Sequence, residues 1–262
     1  MPLRTKALSP FGIEIADHSL SDLSGEQVVD LRATLAAQGF AVFRRQQVDD
    51  QQFTHFLQRL GPLTFTVGER AVEKHGMLNV VSNIGRSSPP RSVFHTDTSY
   101  VSQPPAYTAL RAVQLPKSGS ETLFTNQYAA FESLPTWVVE RLRGSRVLHI
   151  ASGVTLDESD ESQFWHPLFR RHPVSGRVAL FLSTPQRCVE IEGHEKKMAE
   201  RIIAALYRHS ISRNPIYRLR WQSGDVVIWD DRCTLHRADH SQVQGDRVLH
   251  RGLVLGDRPI AA

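Results

Sequence analysis

His95 and Asp97 stand two apart in Phe94-His95-Thr96-Asp97-Thr98. In an extended segment such side chains point the same way, so one imidazole nitrogen and one carboxylate oxygen can reach a single metal ion. Far downstream, Trp229-Asp230-Asp231-Arg232-Cys233-Thr234-Leu235-His236 offers a second imidazole, His236. Two histidines and a carboxylate cover one face of an ion and leave the opposite positions open, the arrangement suited to oxygen-activating non-haem Fe(II). With 12 histidines in the chain, a lone His-x-Asp arises readily by chance and sits as easily in a surface loop, so the neighbours decide. The segment from Arg247 to Leu255 reads as a strand that puts Arg247 and Arg251, four apart, on one face. Their paired donors match the carboxylates of a small dicarboxylate beside the metal. The plain alternative for each arginine is a surface ion pair.

The elements that must hold these residues follow from apolar spacing. Val28, Leu31, Leu35 and Ala36 recur at helical intervals between Ser24 and Gly39, and Phe40-Ala41-Val42-Phe43 then reads as a buried strand. Asp49 or Asp50 can cap a second helix with Phe53, Phe56, Leu57 and Leu60 on one stripe, ended by Gly61-Pro62. Residues 64–74 look irregular, and Met77–Val81 returns to strand. The run Arg86-Ser87-Ser88-Pro89-Pro90-Arg91 is a loop leading into the metal motif. Strands are expected over Tyr107–Leu115, Thr122–Thr125, Tyr217–Trp221 and Asp225–Trp229, with a hairpin from Arg170 to Leu182 and a helix from Glu195 to His209. The acidic run Asp157–Ser162 is too polar to be core. Many short strands with helices outside them predict a mainly β, α+β chain with a jelly-roll barrel.

Composition sets the outer bounds. At 262 residues, 40% of them hydrophobic and 22% charged, the chain is expected to form a single globular domain over 1–262. No apolar run approaches the roughly 20 residues needed to span a bilayer, so no membrane partner is expected. Two cysteines, Cys188 and Cys233, and no signal-like N-terminus suit a reducing cytoplasm. The net charge of +4 is scattered among acidic residues, which argues against nucleic acid as a partner and in favour of a small, acidic molecule. Homo-oligomerisation is left open.

The metal motif, Pro104-Pro105-Ala106, Ser118-Gly119-Ser120-Glu121-Thr122-Leu123, His166-Pro167-Leu168, Arg171-His172-Pro173, Ser175-Gly176-Arg177, Trp229-Asp230 and Leu249-His250-Arg251 occur here in one order. In these residues the sequence resembles the TauD/TfdA-like (taurine dioxygenase) branch of Fe(II)/2-oxoglutarate-dependent oxygenases. The resemblance implies a double-stranded β-helix (jelly-roll) core with flanking helices. It implies Fe(II) on His95, Asp97 and His236, with 2-oxoglutarate as cosubstrate and O2 as oxidant, released as succinate and CO2 while a C–H bond of a small molecule is hydroxylated, with cleavage or desaturation as variants. By position Arg247 matches the arginine that takes the far carboxylate of 2-oxoglutarate, with Thr122 as its hydroxyl partner. Arg251 matches a second arginine near the metal-proximal carboxylate and the substrate's acidic group. Because related halogenases lack the carboxylate ligand, Asp97 favours hydroxylation. The acidic stretch Asp157–Ser162 matches one that closes over the active site in the family.

Departures from the family bear on substrate. Where the taurine enzymes carry a histidine, a tyrosine and an asparagine, this chain has Thr66, Glu69 and Arg91, which argues against taurine itself. Arg91 is a candidate to pair with a substrate carboxylate, sulfonate or sulfate, and Thr98 and Tyr100 are candidates to line the pocket; simple exposure is the alternative for Arg91. His166, His172, His240 and His250 are expected to be structural, and Cys233 a small packed residue. Three other readings remain: a non-catalytic metal-binding jelly-roll sensor, a nucleic-acid base demethylase, and a zinc hydrolase. The dicarboxylate clamp speaks against the first, the scattered charge against the second, and the want of a general base against the third.

Overall fold

The structure, a computed structural model, describes residues 3–85, 92–212 and 214–262. Arg91 therefore lies outside the described residues. The strand Phe40–Phe43 shows why the chain folds in layers: all four residues are buried, because Phe40 and Val42 face one core and Ala41 and Phe43 another. Val226–Asp230 does the same, sending Val227 and Trp229 inward and Val226 and Ile228 outward. Alternation with both faces apolar marks strands sandwiched on two sides.

These strands belong to a nine-stranded sheet ordered Lys6–Ala7, Ile13–Ile15, Phe40–Phe43, Val226–Asp230, Pro105–Gln114, Val248–Leu255, His75–Ser82 and Ala71–Val72, with Leu63–Thr64 also on Val248–Leu255. Residues 64–74, expected as irregular, thus hold sheet-edge pairings that only the partner strand makes possible. A second sheet places Glu121–Asn126 between Ile216–Arg220 and Thr234–Asp239. Between the sheets, Phe40 stacks on Phe124 at 4.6 Å and Phe124 meets Trp229 at 5.6 Å. This two-sheet barrel is the jelly-roll. On its outer face pack the helices Gly25–Gln38, with a Ser24/Gln27 capping box, and Asp50–Leu60, capped by Asp49 and not by Asp50. Among the described residues no helix is long and apolar enough to cross a membrane.

A third layer flanks the barrel. The sheets Gln163–Pro167, Arg146–Ile150, Cys188–Ile191 and Val178–Leu180, Phe169–Arg171, Ile260–Ala261 share a core with the helix Lys196–Ser212. The expected hairpin from Arg170 to Leu182 is present, with Phe169 paired to Leu180. This layer delivers Gly153, Val154, Thr184 and Arg187 to the mouth of the barrel's cavity.

The strand that bears Arg251 is pressed against the helix Asp50–Leu60 at Gly252, where a Cβ would run into Leu57 and touch Leu78 at 3.0 Å. On the same side His250 Nδ1 meets Asp50 Oδ1 at 2.7 Å, so His250 points away from the barrel as strand alternation requires. Gly252→Ala is expected to cost about 1–3 kcal/mol through overpacking. An unchanged urea midpoint would show that the helix yields freely.

Candidate active site

The two histidines meet through their backbones. His95 N–H donates to the His236 carbonyl and His236 N–H to the His95 carbonyl, both at 2.9 Å, in an isolated antiparallel bridge. A pair that exchanges both bonds projects its side chains to the same side, and the two rings lie 4.3 Å apart between centroids. His236 is brought there by a tight turn after Trp229. Asp230 accepts from Arg232 N, Nε and Nη2 at 3.0, 2.8 and 2.6 Å and meets His172 Nε2 at 3.0 Å. His172 in turn accepts from Val174 and Ser175 N–H at its other nitrogen. These contacts make His172 structural, as expected. Asp97 begins a turn instead of continuing an extended segment, and Thr98 sits at φ 43. Its carboxylate nevertheless lies 3.6 Å from His95 Nε2 and 3.9 Å from His236 Nε2. One ligand atom from each of the three residues falls within 4.8 Å of the others, the spacing of a metal centre.

Protonation suits metal binding. His95 Nδ1 lies 2.9 Å from the Val93 carbonyl; a carbonyl only accepts, so Nδ1 carries a proton and Nε2, on the Asp97 side, is the nitrogen left for a metal. Burial, with His95 beside it, pushes His236 down to about 3, so its ring is neutral. Burial works to raise Asp97, but the Arg251 guanidinium, the largest opposing influence, holds the carboxyl well below its ordinary range. Asp231 goes the opposite way: burial first and the Asp97 charge second push it well above. The two carboxyls are joined through Thr108, whose Oγ1 lies 2.6 Å from Asp231 Oδ2 and 3.0 Å from Asp97 Oδ2. A hydroxyl has one proton to give. Protonated Asp231 therefore donates to Thr108, and Thr108 donates to Asp97. Asp231 Oδ1 accepts from Trp229 Nε1 at 3.0 Å and from Thr96 Oγ1 at 3.3 Å.

Beside the triad opens a cavity of about 440 Å³ whose lining includes His95, His236, Trp229, Thr122, Arg247 and Arg251. Arg247 is 2% exposed, and among the described residues no carboxylate pairs with it. Its Nε donates to Ser120 Oγ at 2.7 Å, and burial alone lowers it to about 10. A desolvated guanidinium without a counter-ion is costly, and it faces the same cavity as the triad. Thr122 Oγ1 accepts from Trp221 Nε1 at 3.0 Å, which leaves its own proton to donate. Arg251 Nη1 donates to Asp97 Oδ1 at 3.3 Å, and Nη2 donates to Thr66 Oγ1 at 3.1 Å and Glu69 Oε2 at 2.6 Å.

Of the residues singled out in the sequence, His95, Asp97, His236, Arg247, Arg251 and Thr122 come together here. Thr98 and Tyr100 are not in the cavity lining. Thr98 meets Thr66 at 3.4 Å behind Arg251, and Tyr100 is buried. His240 does line the cavity, whereas His166 packs on His149 and Phe181. Cys233 is buried with its thiol pushed up by burial, which suits packing and not nucleophilic chemistry. Sequence reasoning missed Thr108, Asp231, Ser120 and Arg187. Asp231 and Ser120 lay inside quoted motifs without being given a role; Thr108 and Arg187 are ordinary strand or loop residues whose role depends on what faces them.

Groups that orient a metal ligand typically carry 10–100-fold in metal affinity. Thr108→Val is expected to lose roughly that much, whereas Asp231→Asn, which keeps a donor toward Thr108, should stay close to the unmodified protein. Titration with Co(II), followed by absorbance, checks both; equal losses would mean that Asp231 is ionised.

Comparison with known proteins agrees with this geometry. The family model described as taurine catabolism dioxygenase TauD, TfdA family, matches residues 4–253. An alpha-ketoglutarate-dependent 2,4-dichlorophenoxyacetate dioxygenase of Cupriavidus pinatubonensis is 29% identical over 94% of this chain and 95% of its own. An alpha-ketoglutarate-dependent sulfate ester dioxygenase of Pseudomonas putida is 28% identical over 95% of this chain and 88% of its own. Among solved structures, a taurine dioxygenase from Burkholderia xenovorans superposes with a TM-score of 0.87 at 28% identity, covering 99% of this chain and 93% of that one. With its two facing sheets, its His-Asp-His cluster and a family match over nearly its whole length, the chain belongs to the TauD/TfdA family of dioxygenases.

Proposed function

We propose that this protein is an Fe(II)- and 2-oxoglutarate-dependent dioxygenase that hydroxylates a small, acidic organic molecule, with residues 1–262 acting as one catalytic domain. The observation that carries the reading is Arg247: a buried guanidinium with no carboxylate partner among the described residues, lining the same cavity as His95 and His236, with the Asp97 carboxylate beside them. That donor set fits ferrous iron, and the unpaired cation fits the far carboxylate of a dicarboxylate. A structural metal would not need such a cation, and its coordination would more often be closed.

His95, Asp97 and His236 would hold the metal. When bound, iron with 2-oxoglutarate and O2 supplies an oxidant strong enough to take hydrogen from an unactivated C–H bond, with succinate and CO2 released. The remaining work belongs to the chain. Arg247, fixed at Nε by Ser120, would take the far carboxylate of 2-oxoglutarate, and Thr122 would donate to it. Trp229 packs on His236 at 4.4 Å between centroids and walls the cavity on that side. Arg251 keeps Asp97 ionised and so keeps a negative ligand available. Thr98 and Tyr100 act as a wall behind Thr66 and Glu69.

Charge supports an acidic substrate. Arg70, Arg187, Arg247 and Arg251 line the cavity against Glu69 and the neighbouring Asp97, leaving an excess of positive charge once metal and cosubstrate cancel one another. The named relatives act on an aryloxyacetate, a sulfate ester and taurine, all small anions or zwitterions. Hydroxylation at carbon beside oxygen or sulfur gives a product that collapses, so cleavage is an available outcome. Small-molecule chemistry without nucleic acid, and a cytoplasmic site of action, complete the reading.

Succinate release from 2-oxoglutarate should require added Fe(II) and rise with members of a panel of sulfonates, alkyl sulfates and aryloxy acids. No 2-oxoglutarate consumption under any of these conditions would sink the assignment. Arg247→Met should raise the 2-oxoglutarate concentration needed for half-maximal turnover by at least about 30-fold, since loss of one partner of a buried charge pair costs roughly 2–5 kcal/mol. The same variant without cosubstrate should melt no lower than the parent, because it removes an uncompensated buried charge. A lowered melting temperature with unaltered 2-oxoglutarate dependence would make Arg247 a structural residue.

A further inference from the structure

Arg251 is the cation nearest the metal ligands, yet three of its five donor hydrogens are taken. Nη2 spends both hydrogens on Glu69 and Thr66, at 2.6 and 3.1 Å, and Nη1 gives one to Asp97 at 3.3 Å. The guanidinium thus faces two carboxylates. An acid arriving there would meet the negative charge of Glu69 and find only one Nη1 hydrogen and the buried Nε hydrogen, with both Nη2 hydrogens that would complete a fork already given away. Glu69 itself lines the cavity, with a side chain 34% exposed, so it stands in the path of any such ligand.

A different cation is built into the wall. Arg187 lies in the segment that joins Val178–Leu180 to Cys188–Ile191, and both of its backbone groups are tied down. Its N–H donates to the Thr184 carbonyl at 2.9 Å, and its carbonyl accepts from Ile150 N–H at 2.8 Å. The next residue, Cys188, is buried in the core of the flanking layer. Arg187 lines the cavity together with Thr184, and its positive charge reaches both His236 and Tyr100. Arg70 adds a second cation in the lining.

Building on the dioxygenase reading above, we propose that Glu69 closes Arg251 to the substrate and that Arg187 receives the substrate's acidic group in its place. Glu69 is then a specificity-determining residue: it rejects an acid that would sit against Arg251 beside the metal and admits one that approaches along the flanking layer. Arg251 keeps the narrower task of orienting Asp97. The Thr66–Glu69 segment and the Thr184–Arg187 segment come from different layers, so the orientation of the substrate is decided where barrel and flanking layer meet.

The test uses butane-1-sulfonate, an anion without an amine, titrated calorimetrically into full-length protein loaded with Mn(II) and 2-oxoglutarate, so that binding is read without turnover. Glu69→Gln, which keeps the shape and removes the charge, should tighten sulfonate binding about tenfold, and Arg187→Met should weaken it about tenfold. Glu69→Asp retains the charge and should behave like the parent. If Glu69→Gln binds the sulfonate no tighter, or Arg187→Met no more weakly, the assignment is overturned. Should one variant fail to show a native melting transition, the other decides. Iron-dependent 2-oxoglutarate consumption by the parent protein separates the two levels. Its absence removes the enzyme reading; its presence, with affinities indifferent to both substitutions, removes only the roles of Glu69 and Arg187.

Discussion

The site depends on one pair of backbone hydrogen bonds, those exchanged between His95 and His236 at 2.9 Å. They attach the loop that carries His95 and Asp97 to the edge of the strand Thr234–Asp239, and thereby bring together ligands 141 positions apart in the chain. Two further constraints secure the pair. The turn before the strand is held by Asp230, whose carboxylate is shared by Arg232 and His172. The strand itself lies against Glu121–Asn126 with His236 opposite Phe124, and Phe124 is stacked on Phe40 in the barrel core. The position of a metal ligand is therefore set by aromatic packing on one side and by a buried ion-pair network on the other. Long side chains could not define it so closely, because each free rotamer would have to be ordered at an entropic cost.

Around this frame the charges are arranged in opposed pairs of environments. Asp97 and Asp231 are both buried and lie one hydroxyl apart, yet one is held ionised and the other protonated, because Arg251 lies against Asp97 while Asp231 has neutral donors for company. Two carboxylates so close cannot both remain charged in a poorly solvated interior. The arginines divide in the same manner. Arg251 is neutralised by Asp97 and Glu69, and Arg247 has a serine and open cavity. An unpaired buried cation detracts from stability in the empty protein, and such a cost is commonly met where a ligand completes the pairing. Stability and binding are thus in tension at Arg247, while at Arg251 they point the same way.

The flanking layer has its own core and supplies only loops to the cavity. That division lets the barrel keep the metal ligands rigid while residues 153–154 and 184–187 shape the mouth. Loops carried on a rigid scaffold are where specificity is most readily changed. Glu69 and Arg187 illustrate this, since neither belongs to a barrel strand and both face the cavity.

Much of this was legible in the residues alone. Four-residue spacing at Arg247 and Arg251 and the apolar run Phe40–Phe43 are local patterns, and local geometry is what periodicity encodes; the extended geometry expected to pair His95 and Asp97 is replaced by a turn beginning at Asp97. A cap at Asp49 or Asp50, which the structure resolves in favour of Asp49, and His250 turned away from Arg251 are local in the same sense. Other features depended on contacts between segments remote in sequence. Ser120 reaches Arg247 across 127 positions, Thr108 reaches Asp231 across 123, and Arg251 reaches Glu69 across 182. A hydroxyl or a carboxylate has no periodic signature; its role is set by whichever charge the folded chain places opposite it, and by how little water remains there to screen the two. The sequence by itself therefore determined which residues could bind a metal and a dicarboxylate, and which elements would carry them. Tertiary structure alone decided which carboxyl keeps its proton, which arginine is left without a carboxylate among the described residues and which is already neutralised, because those outcomes depend on distance and burial between segments that meet only in the fold.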